Sequence, residues 1–190
     1  ELNSIAIDIS SPWGKGEVSV SLSGNFNAYN ILACLSVVCL QGMTFSNALE
    51  ALSKIQGVPG RMEYFGGPST AKIFIDYSHT PDALLHALGT LRNQCNGKLV
   101  CVFGCGGERD IGKRPQMGQV AEEYADLVYL TNDNPRRESP EKIIQDIQSG
   151  MKGSIPVEII VDRSTAVREA IHTSCKDDYV LIAGMGHEIY

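Results

Sequence analysis

Leu127-Val128-Tyr129-Leu130-Thr131-Asn132-Asp133-Asn134-Pro135-Arg136-Arg137-Glu138-Ser139-Pro140-Glu141 decides the fold. Its first part, Leu127–Thr131, is an apolar run of strand length, and such runs are buried on both faces, as in a parallel sheet. Its end, Ser139-Pro140-Glu141, sets a capping hydroxyl before a proline at the first helical position. Asp133-Asn134-Pro135-Arg136 lies between, at the carboxyl end of the strand, where open α/β sheets bind ligands. Arg136 offers a rigid fork of donors for a carboxylate or phosphate, and Asp133 offers an acceptor for an ammonium. One short loop can therefore hold both ends of a zwitterion, although a charged surface turn would use the same residues.

The same unit recurs on either side. Ala71–Tyr77, Lys98–Phe103, Val157–Val161 and Tyr179–Ala183 are further strand-like runs. Helical stripes separate them: Leu84, Leu85, Leu88 and Leu91; Met117, Val120, Ala121 and Tyr124; Ile143, Ile144, Ile147 and Met151; Ala166, Val167, Ala170 and Ile171. Thr80-Pro81 repeats the hydroxyl–proline start, and Pro115 acts similarly in the second helix. The pattern predicts a doubly wound α/β domain with a mostly parallel sheet and right-handed crossovers.

The first sixty-odd residues differ. Ser4–Ile9 and Val18–Leu22 alternate as a hairpin around the turn-rich Ser10–Gly16, and Asn30–Leu40 and Phe45–Ile55 read as helices separated by Gly42. Two strands and two helices make a poor independent core. Residues 1–64 are therefore expected to end a domain that begins upstream, with Gly66-Gly67-Pro68-Ser69 as the hinge into a second domain over 65–190.

Composition narrows the classes. At 43% hydrophobic and 20% charged residues, the chain has the make-up of an ordinary soluble globular protein. A net charge of -6 argues against non-specific nucleic-acid binding. The longest apolar run, Ile31 to Leu40, is too short to span a bilayer. Cys34, Cys39, Cys95, Cys101, Cys105 and Cys175 show no zinc-knuckle or redox spacing, which suits a reduced, cytoplasmic protein.

The remaining polar loops also follow strands. Gly104-Cys105-Gly106-Gly107-Glu108-Arg109-Asp110-Ile111-Gly112-Lys113-Arg114 fails as a dinucleotide fingerprint, because Arg109 stands where the third glycine is required. It fails as a P-loop because Arg114 replaces the Mg²⁺-binding Ser or Thr. Its glycines still expose N–H groups ahead of a helix, a setting that suits anions, and a tight strand-to-helix turn would need them equally. Asp76, ending a strand, is placed for ribose hydroxyls, and His79 for a phosphate or a structural capping loop. Gly184-Met185-Gly186-His187-Glu188 follows the last strand, Arg61 and Glu63 precede the hinge, and Asn27 and Asn30 lead into the first long helix.

Taken in order, FNAYN, GRME, DYSHTPDAL, FGCGGERDIGKRP, AEEYAD, DNPR and GHE resemble the C-terminal portion of a Mur ligase, of the type that adds meso-diaminopimelate. The resemblance runs from about Gly24 to the last residue. It implies a Rossmann-like C-terminal domain that delivers the amino acid, preceded by the tail of a central ATPase domain. A UDP-binding domain and most of the ATPase domain would lie outside the chain, and the C-terminal domain is expected to be cut short at Tyr190.

By the same resemblance, ATP phosphorylates the D-glutamyl carboxylate of UDP-MurNAc-L-Ala-D-Glu, and the amine of diaminopimelate attacks the resulting acyl phosphate, forming the amide and releasing phosphate. Arg109, Asp133, Asn134, Pro135, Arg136, Gly184 and Glu188 would bind meso-diaminopimelate. Asn30, Arg61 and Asp76 would serve ATP, at adenine, phosphate and ribose respectively. Mg²⁺, its ligands and the catalytic base are expected upstream, so the chain alone is expected to be inactive, and a monomer. The family's last loop commonly has lysine where Met185 stands, which removes that charge. A nucleotide-dependent dehydrogenase and a non-catalytic amino-acid-binding module are the competing readings.

Overall fold

A computed structural model describes residues 4–22, 24, 26–67 and 69–184. The chain divides into two compact units, residues 1–58 and 59–190.

In the first unit, β1 (Ile5–Ser11) and β2 (Gly14–Val20) pair antiparallel, from Ile5 opposite Val20 to Ser11 opposite Gly14. The turn is therefore only Pro12-Trp13, tighter than the Ser10–Gly16 segment expected from sequence. The glycines that suggested a long turn are strand residues lying beneath a helix. A Cβ on Gly14 would come within 2.8 Å of the Phe45 ring, and one on Gly16 within 2.7 Å of a Leu49 methyl. Helices α1 (Phe26–Leu40) and α2 (Phe45–Leu52) complete the unit, with Thr44 capping α2. Ile9, Val18, Val20, Ile31, Leu35 and Leu52 form its core.

The second unit carries β3 (Glu63–Phe65), β4 (Lys72–Asp76), α3 (Pro81–Arg92), β5 (Leu99–Phe103), α4 (Lys113–Tyr124), β6 (Leu127–Leu130), α5 (Pro140–Gln148), β7 (Val157–Ile159), α6 (Arg163–His172) and β8 (Tyr179–Ala183). Its six-stranded sheet has the order β3-β4-β8-β5-β6-β7 and is parallel except for β3. The doubly wound α/β expectation is thus met. Edge strand β3 was not foreseen. By pairing Glu63–Phe65 with β4, it draws those residues into this unit, so the division falls after Val58 rather than after residue 64.

Strand β5 shows why the apolar runs had to be continuous. Leu99, Cys101 and Phe103 face a core shared with α3, α4 and α5, whereas Val100 and Val102 face one shared with α6. Both cores are closed to solvent: Leu84, Leu88, Met117 and Ile147 on one side, and Ala166 and Ala170 on the other, are fully buried. Truncating one such leucine to alanine typically costs about 2–5 kcal/mol. The expected caps are present, since Thr80 Oγ1 accepts from the Ala83 N–H and Ser139 Oγ from the Lys142 N–H. Among the described residues, no helix is long and apolar enough to cross a membrane.

Candidate functional site

The parallel strands end on one edge, and the loops after β4, β5, β6 and β8 meet there around an open pocket of about 470 Å³. Arg109, Lys113, Asp133, Asn134, Arg136 and Gly184 line it, together with Tyr77, His79 and Asp110. The pocket therefore mixes arginine forks with carboxylates, as recognition of a zwitterion demands.

Two loops form most of the wall, and glycine lets them touch. A Cβ on Gly107 would collide with the carbonyl oxygen of Pro135, and one on Gly104 with that of Thr131. With those side chains absent, the Gly107 N–H donates to Asn134 O at 2.8 Å and Arg136 Nη1 donates to Gly107 O at 2.5 Å. Glu108 and Arg136 both adopt left-handed backbone, with φ of 51° and 50°, a conformation that costs non-glycine residues energy and persists only where surroundings enforce it. The enforcing contacts are present: Glu138 accepts the Glu108 N–H, and Asn134 Oδ1 accepts the Arg136 N–H at 3.3 Å.

Behind these loops Arg114 is completely buried. Its Nη1 and Nη2 reach Glu138 Oε2 and Oε1 at 2.8 and 2.9 Å, forming a bidentate fork. Nη1 also meets Asp146 Oδ2 at 2.9 Å, and Nη2 donates to Gly106 O at 3.3 Å. The hydrogen bond to Arg114 holds the Glu138 carboxyl below its ordinary range, and Glu138 in turn raises Arg114. Cys105, on the same loop, packs against Met117, and burial pushes its thiol up to about 11, which disfavours the thiolate.

The last turn of β4 forms a second polar group. Asp76 is buried, with Oδ2 accepting from the Met62 N–H at 2.9 Å and Oδ1 from the N–H and hydroxyl of Ser78. Arg61 is exposed and lies 4.6 Å over the Tyr77 ring. Glu63 Oε2 accepts from the Gly60 N–H, tying off that turn. The Gly184 N–H donates to Asp76 O at 3.1 Å, and Gly184 (φ 94°) needs its left-handed backbone. A Cβ there would lie 3.3 Å from Asp133 Oδ2.

Of the residues singled out in the sequence, Arg109, Asp133, Asn134, Arg136 and Gly184 are brought together at this pocket. Pro135 instead supplies the backbone against which Gly107 packs. Met185 and Glu188 lie outside the described residues. Asn30 is the fifth residue of α1 rather than a residue before it, exposed, with Nδ2 donating to Asn27 Oδ1 at 3.0 Å. Among the described residues, no cluster of three or more His, Cys, Asp or Glu side chains is placed to hold a metal ion.

Sequence reasoning missed Lys113, whose Nζ donates to His79 O at 2.6 Å, and passed over Arg114 as a position that breaks the P-loop. A signal for Arg114 existed. It lies in helical register with buried Met117, Gly118 and Ala121, and a cation on an apolar stripe requires partners.

Comparison with known proteins supplies the family. The model of the Mur ligase, glutamate ligase domain, matches residues 60–186. A UDP-N-acetylmuramoyl-L-alanyl-D-glutamate--2,6-diaminopimelate ligase of Coxiella burnetii is 52% identical over 96% of this chain and 37% of its own length. The ligase of the same name from Chromobacterium violaceum is 44% identical over 100% of this chain and 38% of its length. The chain thus spans less than two fifths of these relatives. A solved structure of a ligase with that name is 38% identical, covers 97% of this chain and 38% of its own, and superposes with a TM-score of 0.69. The UDP-N-acetylmuramate-alanine ligase of Thermotoga maritima, 22% identical with a TM-score of 0.69 over 89% of this chain and 36% of its own, shares the fold. With its C-terminal α/β unit matched almost throughout, the chain belongs to the Mur ligase family.

Proposed function

We propose that this chain is the amino-acid-delivering part of an ATP-dependent ligase that joins meso-diaminopimelate to UDP-MurNAc-L-Ala-D-Glu during peptidoglycan precursor synthesis. The observation that carries the reading is the pairing of Arg136 and Asp133 on one loop, with Arg109 opposite, in a pocket of amino-acid size. Diaminopimelate bears two ammonium and two carboxylate groups, so it needs acids and arginines together. Arg136 takes the distal carboxylate, Asp133 an ammonium, and Asn134 and Arg109 complete the grip. Gly184 keeps space beside Asp133 Oδ2, and Glu188 belongs to the same proposed site. These groups act by holding the attacking amine in one orientation, which removes orientational entropy from the reaction.

ATP supplies the driving force for amide formation. Arg61 fits a phosphate, because its guanidinium is exposed over Tyr77. Asp76 fits a ribose hydroxyl with its remaining acceptor capacity, since a carboxylate has about four lone-pair positions and three donors already reach it. Asn30 is proposed for adenine within the first unit. The described residues offer no Mg²⁺ ligand set, so no step is assigned to that ion here.

Titrating the chain with meso-diaminopimelate and with lysine tests the site. Tighter binding of diaminopimelate, lost in Arg136→Ala, is expected; equal affinity for the two amino acids would overturn the assignment. Phosphate release with the full substrate set is expected to stay at the buffer blank for this chain alone.

A further inference from the structure

We infer that Arg114, which does not itself line the pocket, is a positioning residue that sets amino-acid affinity by clamping the two pocket loops in register. The inference rests on reading that pocket as the diaminopimelate site. The fork to Glu138 ties α4 to the loop that carries Arg136, and the bond to Asp146 ties it to α5. The donation to Gly106 O ties it to the loop that carries Arg109. Glu138 then spends a second interaction on the Glu108 N–H. One buried guanidinium thus holds both left-handed residues, directly at one end through Glu138 and Glu108, and across the Gly107–Asn134 and Gly107–Arg136 hydrogen bonds at the other.

Few alternatives explain a fully buried arginine at this place. The partners that satisfy this buried cation come from both pocket loops and the helix behind them, so its pairing and the register of the loops are one arrangement. A lysine there would keep the charge but lose the fork and the reach to Gly106, because an ammonium is a point donor. Loop register would then relax, and binding that depends on two arginines held on different loops is sensitive to their placement.

The test uses the full-length ligase with Arg114→Lys, Arg114→Met and Glu138→Gln, each also followed by thermal unfolding. Arg114→Lys is expected to raise the KM for meso-diaminopimelate about tenfold, with the KM for ATP and kcat at saturating amino acid within about twofold. Arg114→Met is expected to be worse than Arg114→Lys, and Glu138→Gln to follow the same pattern as Arg114→Lys. An unchanged KM for diaminopimelate in Arg114→Lys, or parallel losses for both substrates, would overturn the positioning role, as would unfolding of all three variants. A wild-type enzyme that does not saturate with diaminopimelate would instead refute the proposed function itself.

Discussion

Arg136 Nη1 donates to the carbonyl oxygen of Gly107 at 2.5 Å, so the residue proposed to grip the substrate is already docked on the neighbouring loop. The bond consumes one of five guanidinium donors and leaves the rest of the fork available. It also makes Gly107 part of the proposed recognition site although it has no side chain.

Gly107→Ala follows from this. Its Cβ would meet the backbone oxygen of Pro135, and neither loop can yield without breaking the Gly107–Asn134 hydrogen bond. Overpacking of this kind costs about 1–3 kcal/mol. The expected outcome is a lower thermal midpoint together with loss of diaminopimelate binding in a calorimetric titration. A variant that binds as the parent does would show that the loops move apart freely.

Arg136→Ala should act on specificity more than on overall turnover. On the proposed role, removing the guanidinium leaves a ligand carboxylate unpaired, at about 2–5 kcal/mol. Lysine lacks that carboxylate and loses less. The readout is the ratio of kcat/KM for meso-diaminopimelate and lysine in the full-length enzyme, which should shift toward lysine. Arg136→Lys should restore only part of the difference.

The sheet was legible because its strands are buried on both faces, and burial of that kind leaves unbroken apolar runs such as Leu99–Phe103. The loops that line the pocket were legible because strand ends and helix caps bracket them, as at Leu130 and Ser139. What stayed hidden depends on contacts distant in sequence. β3 has only Glu63–Phe65 and no alternation long enough to register. Gly14 and Gly16 looked like turn residues, because nothing nearby in sequence announces that Phe45 and Leu49 pack on them. Arg114 stands in register with Met117 and Ala121, but its partners Glu138 and Asp146 lie 24 and 32 residues away, and sequence alone does not bring them to it.

Acid should loosen the molecule at identifiable carboxylates. Glu122 Oε2 and Oε1 accept from the backbone N–H groups of Lys152 and Ser154 at 2.6 and 2.8 Å, and these bonds lower its pKa. Hydrogen bonds from Lys142 and Arg114 likewise lower Asp146. A folded pKa below the unfolded value means that the unfolded state binds protons first. The stabilisation is therefore complete above about pH 4–5, where the unfolded carboxyls are ionised, and is lost as pH falls through the lower folded values. Chemical denaturation from pH 7 to pH 3 should show a falling midpoint below about pH 5. Glu122→Gln should flatten that slope while lowering the midpoint at pH 7. An unchanged slope would remove Glu122 from the acid response.

Asp76→Asn separates ligand binding from architecture. The carboxylate accepts from the Met62 N–H, the Ser78 N–H and the Ser78 hydroxyl, and Met62 (φ 48°) is held in left-handed backbone beside it. An asparagine has one acceptor oxygen and turns an NH₂ toward the other donor, so one buried N–H loses its partner at about 1–3 kcal/mol. The turn bearing Arg61 should therefore loosen, and the apparent constant for ATP in the full-length enzyme should rise. The constant for diaminopimelate should move much less, because the bond from the Gly184 N–H to the Asp76 carbonyl, which joins Asp76 to that pocket, is kept by the substitution. Parallel measurement of both constants and of the thermal midpoint checks the argument. A raised constant for diaminopimelate alone would mean that the two sites have been exchanged, and an unchanged midpoint would mean that Asp76 serves the ligand without supporting the turn.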